Sequence, residues 1–191
     1  MIDTVYTGFL SAAARDAERC DRESRLLSLA AVPASGSPPS SYLAVFREIE
    51  HLERAADETV STSARAIPVL IHLPADYLRS VDPTLQFRVA RVNVPLLHPN
   101  CRADGTLCLG NRFRPGTSLR ALVETIYGIL SNRVVATDHA FDVRARDYFL
   151  NHVEEVRRLR DGAPSLWDRP VAARARSECL DTGESRTEER P

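Results

Sequence analysis

The stretch HPNCRADGTLCL, residues 98–109, holds the side chains whose types and spacing can do chemistry. A histidine, a proline and an asparagine stand in a row, and Cys101 and Cys108 follow on either side of an Asp104-Gly105 pair. Pro99 fixes its own φ and pushes His98 out of the helical region, so the chain bends directly after an apolar run. Asp104-Gly105 supplies a tight turn that doubles it back. The Asn100 carboxamide, eight residues before Cys108, can then sit close to the thiol. The pattern describes a cysteine on a loop with an amide donor nearby and no obvious strong base. A cysteine hydrolase using Cys108 with His98 or His139 as base is the rival enzyme reading. A zinc site built on His98, Cys101 and Cys108 lacks a fourth ligand at a suitable spacing, so no metal is expected.

The elements that must position this loop are legible from periodicity. Ile2, Val5, Tyr6, Phe9, Ala13 and Ala17 recur at helical spacing and predict an opening helix to about Cys20, decorated by Arg15, Arg19, Arg22 and Arg25. Residues 33–41, PASGSPPSS, read as a loop. Segments 42–52, 64–73 and 85–97 read as strands from their β-branched and aromatic content, the last from the alternation Phe87, Val89, Arg91, Asn93. The links between them are too short for crossover helices, so the pairing is expected to be antiparallel. After the cysteine loop, Leu119, Leu122, Val123, Ile126, Ile129 and Leu130 trace an amphipathic helix capped by Thr117 or Ser118. A last helix is expected over Phe141, Ala145, Phe149, His152 or Val153, Val156 and Leu159. Segregated strands and helices mean an α+β fold: an N-terminal helix, an antiparallel β-meander, the cysteine loop and C-terminal helices. One domain is expected over residues 1–160, with 161–191 as a polar, disordered tail.

Composition excludes several classes. A net charge of -1 gives no reason to expect nucleic acid or an anionic membrane surface as partner. No apolar run approaches the roughly 20 residues that span a bilayer. The opening MIDTVYTGFL carries Asp3 and no basic leader, so no signal peptide and a cytoplasmic location are expected. Cys20, Cys101, Cys108 and Cys179 are too widely spaced for a disulfide framework. All 25 basic residues are arginine and none is lysine. A GC-rich coding sequence accounts for that, and so would a surface that carries positive charge without presenting nucleophilic amines.

The loop resembles the active-site segment of the ubiquitin-conjugating enzymes: His98-Pro99-Asn100, then Gly105, then Cys108-Leu109, with the family's spacing kept. The likeness extends through much of 64–159. LPADY (73–77) resembles the approach to the family's Tyr-Pro-Phe loop. Pro115 and the 117–130 segment resemble the stretch after the cysteine, and ATDHAFD, with Ala145 and Tyr148, resembles the final gate and helix. Tyr77-Leu78 replaces the full Tyr-Pro-Phe element, the segment between cysteine and helix is about three residues short, and Phe113 stands where tryptophan is common. These segments carry ligase recognition in eukaryotic members, so the departures argue against a eukaryotic-type ligase as partner. The lysine-free composition and compactness fit a bacterial relative, such as those of antiphage or ubiquitin-like modification operons.

The resemblance implies the family's fold and a cysteine acyltransferase that needs no cofactor. Cys108 would take the C-terminus of a ubiquitin-like modifier from an activating, adenylating enzyme as a thioester and pass it to a protein target. Asn100 would donate to the oxyanion or brace the loop. Asp138, allowing one inserted residue, would orient the attacking amine, with His139 a candidate for the same gate. His98, Pro99 and Gly105 would shape the turn. A non-catalytic, modifier-binding member of the fold is the alternative from another class.

Overall fold

The computed structural model describes residues 3–33, 36–79, 82–110 and 113–168. Cys179 and the tail beyond Asp168 lie outside the described residues. Helix α1 (Thr4–Glu23) begins where Asp3 accepts hydrogen bonds from the amides of Val5 and Tyr6, and it buries Leu10, Ala13, Ala17 and Cys20 on one face. That face covers a four-stranded antiparallel sheet of order β1-β2-β5-β6: β1 (Leu27–Ala31), β2 (Ser41–Phe46), β5 (Ile67–His72) and β6 (Ala90–Val92). Tyr42, Ala44 and Phe46 of β2 alternate inward beside Ile67, Val69 and Ile71 of β5, while Leu43 and Leu70 point out. Helix α2 (Leu119–Leu130), capped by Ser118, puts Leu119, Leu122, Val123 and Ile126 into the same core. The fold is α+β with antiparallel pairing throughout, as the short links require.

Several boundaries differ from the sequence reading. The 42–52 segment is broken after Phe46: Glu48 takes a left-handed φ of 58°, and the chain re-forms as β3 (His51–Arg54). The link expected after it is a β-hairpin in which β3 pairs with β4 (Val60–Ser63), an excursion that interrupts the meander between β2 and β5. The 85–97 alternation contains only the short β6. Ahead of it, Asp82 accepts from the Thr84 amide and starts a 3-10 helix over Pro83–Arg88. Leu85 and Val89, four residues apart, are the buried pair there.

The last helix is two. Asp142 caps α3 (Val143–Asn151) through the Ala145 amide, His152 breaks the path at φ -124° and ψ 43°, and α4 (Val153–Gly162) follows. Residues 161–168 are not a free tail. Leu166 is buried, Trp167 Nε1 donates to Glu124 at 3.0 Å, and the Arg120 guanidinium lies 4.0 Å from the Trp167 ring centroid. The backbone amide of Arg25 donates to Asp168 at 3.0 Å. The packed domain thus runs at least eight residues past the expected boundary at residue 160, which the end of the amphipathic pattern at Leu159 had suggested. Among the described residues, no helix is long and apolar enough to cross a membrane.

Candidate active site

The cysteine loop is anchored at its entry by β3 and along its length by β6. The Leu97 amide donates to Leu52 O at 2.8 Å, and the Arg54 amide to Pro95 O at 3.0 Å, so the hairpin holds the chain as it arrives at His98. His98 is 1% exposed, and its Nδ1 accepts from the Asn100 amide at 3.0 Å. Its ring meets Phe149 edge-on at 5.2 Å. Burial pushes the imidazole down to about 3, so at neutral pH it is uncharged and its Nδ1 is committed. His98 locks the turn.

This has a measurable consequence. An imidazole that titrates at about 6.5 when unfolded but at about 3 when folded adds stability above pH 6.5 that is lost as pH falls towards 3. By pH 5 the loss from this residue alone is about 2 kcal/mol. Urea titrations at pH 7 and pH 5 should show that difference shrink in His98→Asn, whose Oδ1 can still accept from the Asn100 amide. Equal acid sensitivity in both proteins would remove His98 as the source.

Asn100 ties three segments together. Its Nδ2 donates to Cys108 O at 3.1 Å, its Oδ1 accepts from the Ala136 amide at 2.8 Å, and its own carbonyl accepts from the Cys108 amide at 2.8 Å. The Ala136 amide can only donate and the Cys108 carbonyl can only accept, so the orientation of the carboxamide is determined. Pro99 O accepts from the Phe141 amide at 2.8 Å, which draws the 136–142 turn along the loop. Between these anchors the chain reverses: the Gly105 amide donates to Arg102 O at 2.9 Å, and the Thr106 amide to Asp104 Oδ1 at 2.9 Å. The reversed strand rests on β6 through Val92 N to Gly105 O at 2.9 Å and Leu107 N to Ala90 O at 3.0 Å.

Cys108 emerges from this frame partly exposed, whereas Cys20 and Cys101 are buried. Burial is the larger influence on the Cys108 thiol and raises it above the ordinary value, and the Gly110 amide opposes that rise. Cys101 is pushed up to about 12 by burial, then by Asp104 and Asp142, which makes it an inert packing thiol. The Phe87 and Phe141 rings lie 4.7 Å apart, linking the 3-10 helix to the 136–142 turn.

The structure thus brings His98, Pro99, Asn100, Gly105 and Cys108 into one hydrogen-bonded unit. Asp138 and His139 follow Ala136 closely but are exposed, and the Asp138 carboxylate lies 3.5 Å from Thr137 Oγ1. No hydrogen bond among the described residues joins Asp138 to the thiol. Two residues that touch the loop were missed in the sequence. Asp142 caps α3 and receives Arg54 Nη2 at 2.9 Å. Gln86 Oε1 lies 3.6 Å from Cys108 Sγ. The Asp142-Val143 junction is a legible N-cap signal, but nothing in the local sequence marks Gln86. Among the described residues no three His, Cys, Asp or Glu side chains come together as a metal site. Neither a model of a known protein family nor a curated protein matches the chain.

Proposed function

We propose that this protein is a conjugating enzyme that carries the C-terminus of a ubiquitin-like modifier on Cys108. The observation that carries the reading is the Asn100 bridge, which clamps the backbone of a partly exposed cysteine to both sides of its loop, while among the described residues no hydrogen bond joins an imidazole to the sulfur. A hydrolase would need a base there: His98 is buried with Nδ1 already accepting, and among the described residues no hydrogen bond joins the exposed His139 to the thiol. Relay chemistry does not need one. The Cys108 sulfur attacks the carbonyl of a thioester held by the activating enzyme and forms a tetrahedral oxyanion. The donor cysteine then leaves as a thiolate and takes up the proton that Cys108 releases. In the second step a target amine attacks the Cys108 thioester, loses its proton to solvent, and expels the Cys108 thiolate. The raised thiol keeps the thiolate fraction low in the first step, and because thioester exchange between similar thiols is close to balanced, the second step pulls the relay forward. A bacterial modification or antiphage system is the setting that the lysine-free composition and compactness favour.

The test combines the full chain with an adenylating enzyme, a ubiquitin-like protein and ATP. Wild type should form an adduct that reductant removes, Cys101→Ala should retain it, and Cys108→Ser should hold a reductant-resistant ester. Adduct formation by Cys108→Ala would refute the assignment.

A further inference from the structure

The 3-10 helix over Pro83–Arg88 delivers one polar side chain to the sulfur. Gln86 Oε1 accepts from the Gly110 amide at 3.1 Å and lies 3.6 Å from Cys108 Sγ, within reach of the weak S–H donor. Because a backbone amide can only donate, the atom facing it must be the side-chain oxygen. The thiol therefore meets an acceptor, and not the amide hydrogens at the other side of the same group. The helix that holds Gln86 is itself fixed: Asp82 caps it, Leu85 is buried, Val89 is buried just beyond it, and Phe87 packs on Phe141. Two charged groups on the flanking elements are engaged elsewhere, and Asp138 and His139 of the 136–142 turn are exposed. Arg88 pairs with Asp76 at 2.6 Å, and Asp104 accepts from the Thr106 amide.

We infer that Gln86 is a positioning residue for Cys108: one side-chain oxygen receives both the thiol and the Gly110 amide, orienting the sulfur and holding that amide hydrogen partly away from it. The inference deepens the reading of Cys108 as the acyl-carrying nucleophile and rests on it. When the thiol proton leaves, the oxygen loses its S–H donor and its lone pairs oppose the new charge. The Gly110 amide, which favours the ionised sulfur, stays shared with Gln86. The resting cysteine is thus kept as a thiol, slow towards stray oxidants and electrophiles, while the loop keeps it facing outward.

Iodoacetamide alkylation of Cys108, followed by mass spectrometry across pH 6 to 11, reads this without activating enzyme or modifier. Gln86→Glu keeps the length and the acceptor but adds a negative charge, and its alkylation midpoint should rise by about one pH unit or more. That corresponds to roughly a tenfold slower reaction at pH 8. Gln86→Ala removes the acceptor and frees the Gly110 amide for the thiolate, so its midpoint should fall. If Gln86→Ala does not fold, Gln86→Asn, too short to bridge both partners, takes its place with the same expected direction. A residue that only packs would move both variants the same way, by loosening the site, or neither. Either of those results overturns the inference. Because alkylation is independent of the relay, such a failure leaves the thioester assay standing, and failure of that assay leaves the alkylation profile interpretable.

Discussion

Gly105→Ala should be the most damaging single-methyl change in the loop. Gly105 sits at φ 83°, and a Cβ built there would lie 2.2 Å from the backbone oxygen of Val92 in β6. The obstacle is main chain inside a four-stranded sheet, so it cannot rotate aside as a side-chain tip would. The loop would have to lift, breaking Val92 N to Gly105 O and straining Leu107 N to Ala90 O. Strain at a left-handed residue costs about 1–3 kcal/mol, and the backbone collision brings the expected loss to about 3 kcal/mol or more. In a domain of this size that lowers Tm by roughly 10 °C. Gly116→Ala is the matched control. Gly116 has nearly the same φ, 80°, but its added Cβ would meet only Leu78 Cδ2 at 3.6 Å, an ordinary contact. Thermal melts of the two variants therefore separate conformational strain from close approach. Equal melting temperatures would mean that the loop does not rest on β6 as described. Since Cys108 follows three residues later, Gly105→Ala should also lose charging at temperatures where its sheet is still folded.

That docking explains which parts of the molecule were legible in the sequence. The helices α1 and α2 were readable because each shows one apolar stripe and a capping side chain, Asp3 or Ser118, and both signals are local. The loop was readable for a similar reason, since Pro99, Asp104 and Gly105 state the bend and the turn through their own backbone preferences. What failed was decided by tertiary partners. Phe87 and Val89 alternate with polar residues as a strand would, yet Asp82-Pro83-Thr84 begins a 3-10 helix whose Phe87 is held by Phe141, more than fifty residues away in sequence. With that segment read as a strand, Gln86 had no reason to face the cysteine. Residues 161–168 look polar, but Leu166 and Trp167 find α2, and no periodicity in so short a run announces that. The bridge from Asn100 to Ala136 is of the same kind. The asparagine was legible as a neighbour of the thiol, and its second partner was not.

Asn100→Ala tests what that bridge does. The side chain is 1% exposed and satisfies the Cys108 carbonyl and the Ala136 amide, so its loss orphans two backbone groups where water has little access. At about 1–3 kcal/mol for each unsatisfied group, the domain should lose roughly 2–6 kcal/mol, read by urea unfolding. Asn100→Asp sharpens the result. The introduced carboxyl can still accept from the Ala136 amide but must carry a proton to donate to Cys108 O. Folding then raises its pKa above the unfolded carboxylate range. Its contribution is present at low pH and is lost as pH rises through the folded value, so this variant should be closest to wild type in mild acid and fall behind towards neutrality. Catalysis separates the two roles proposed for the residue. A brace alone predicts that charging and discharge fall together, because Cys108 itself is displaced. A donor to the tetrahedral oxygen predicts a further loss confined to discharge, of about 10²-fold or more. Nδ2 carries two hydrogens and one is directed at the Cys108 carbonyl, so bracing and donation can coexist, and the ratio of discharge to charging in Asn100→Ala measures the second against the first. Unchanged stability in that variant would sink the brace and leave the asparagine to the reaction alone.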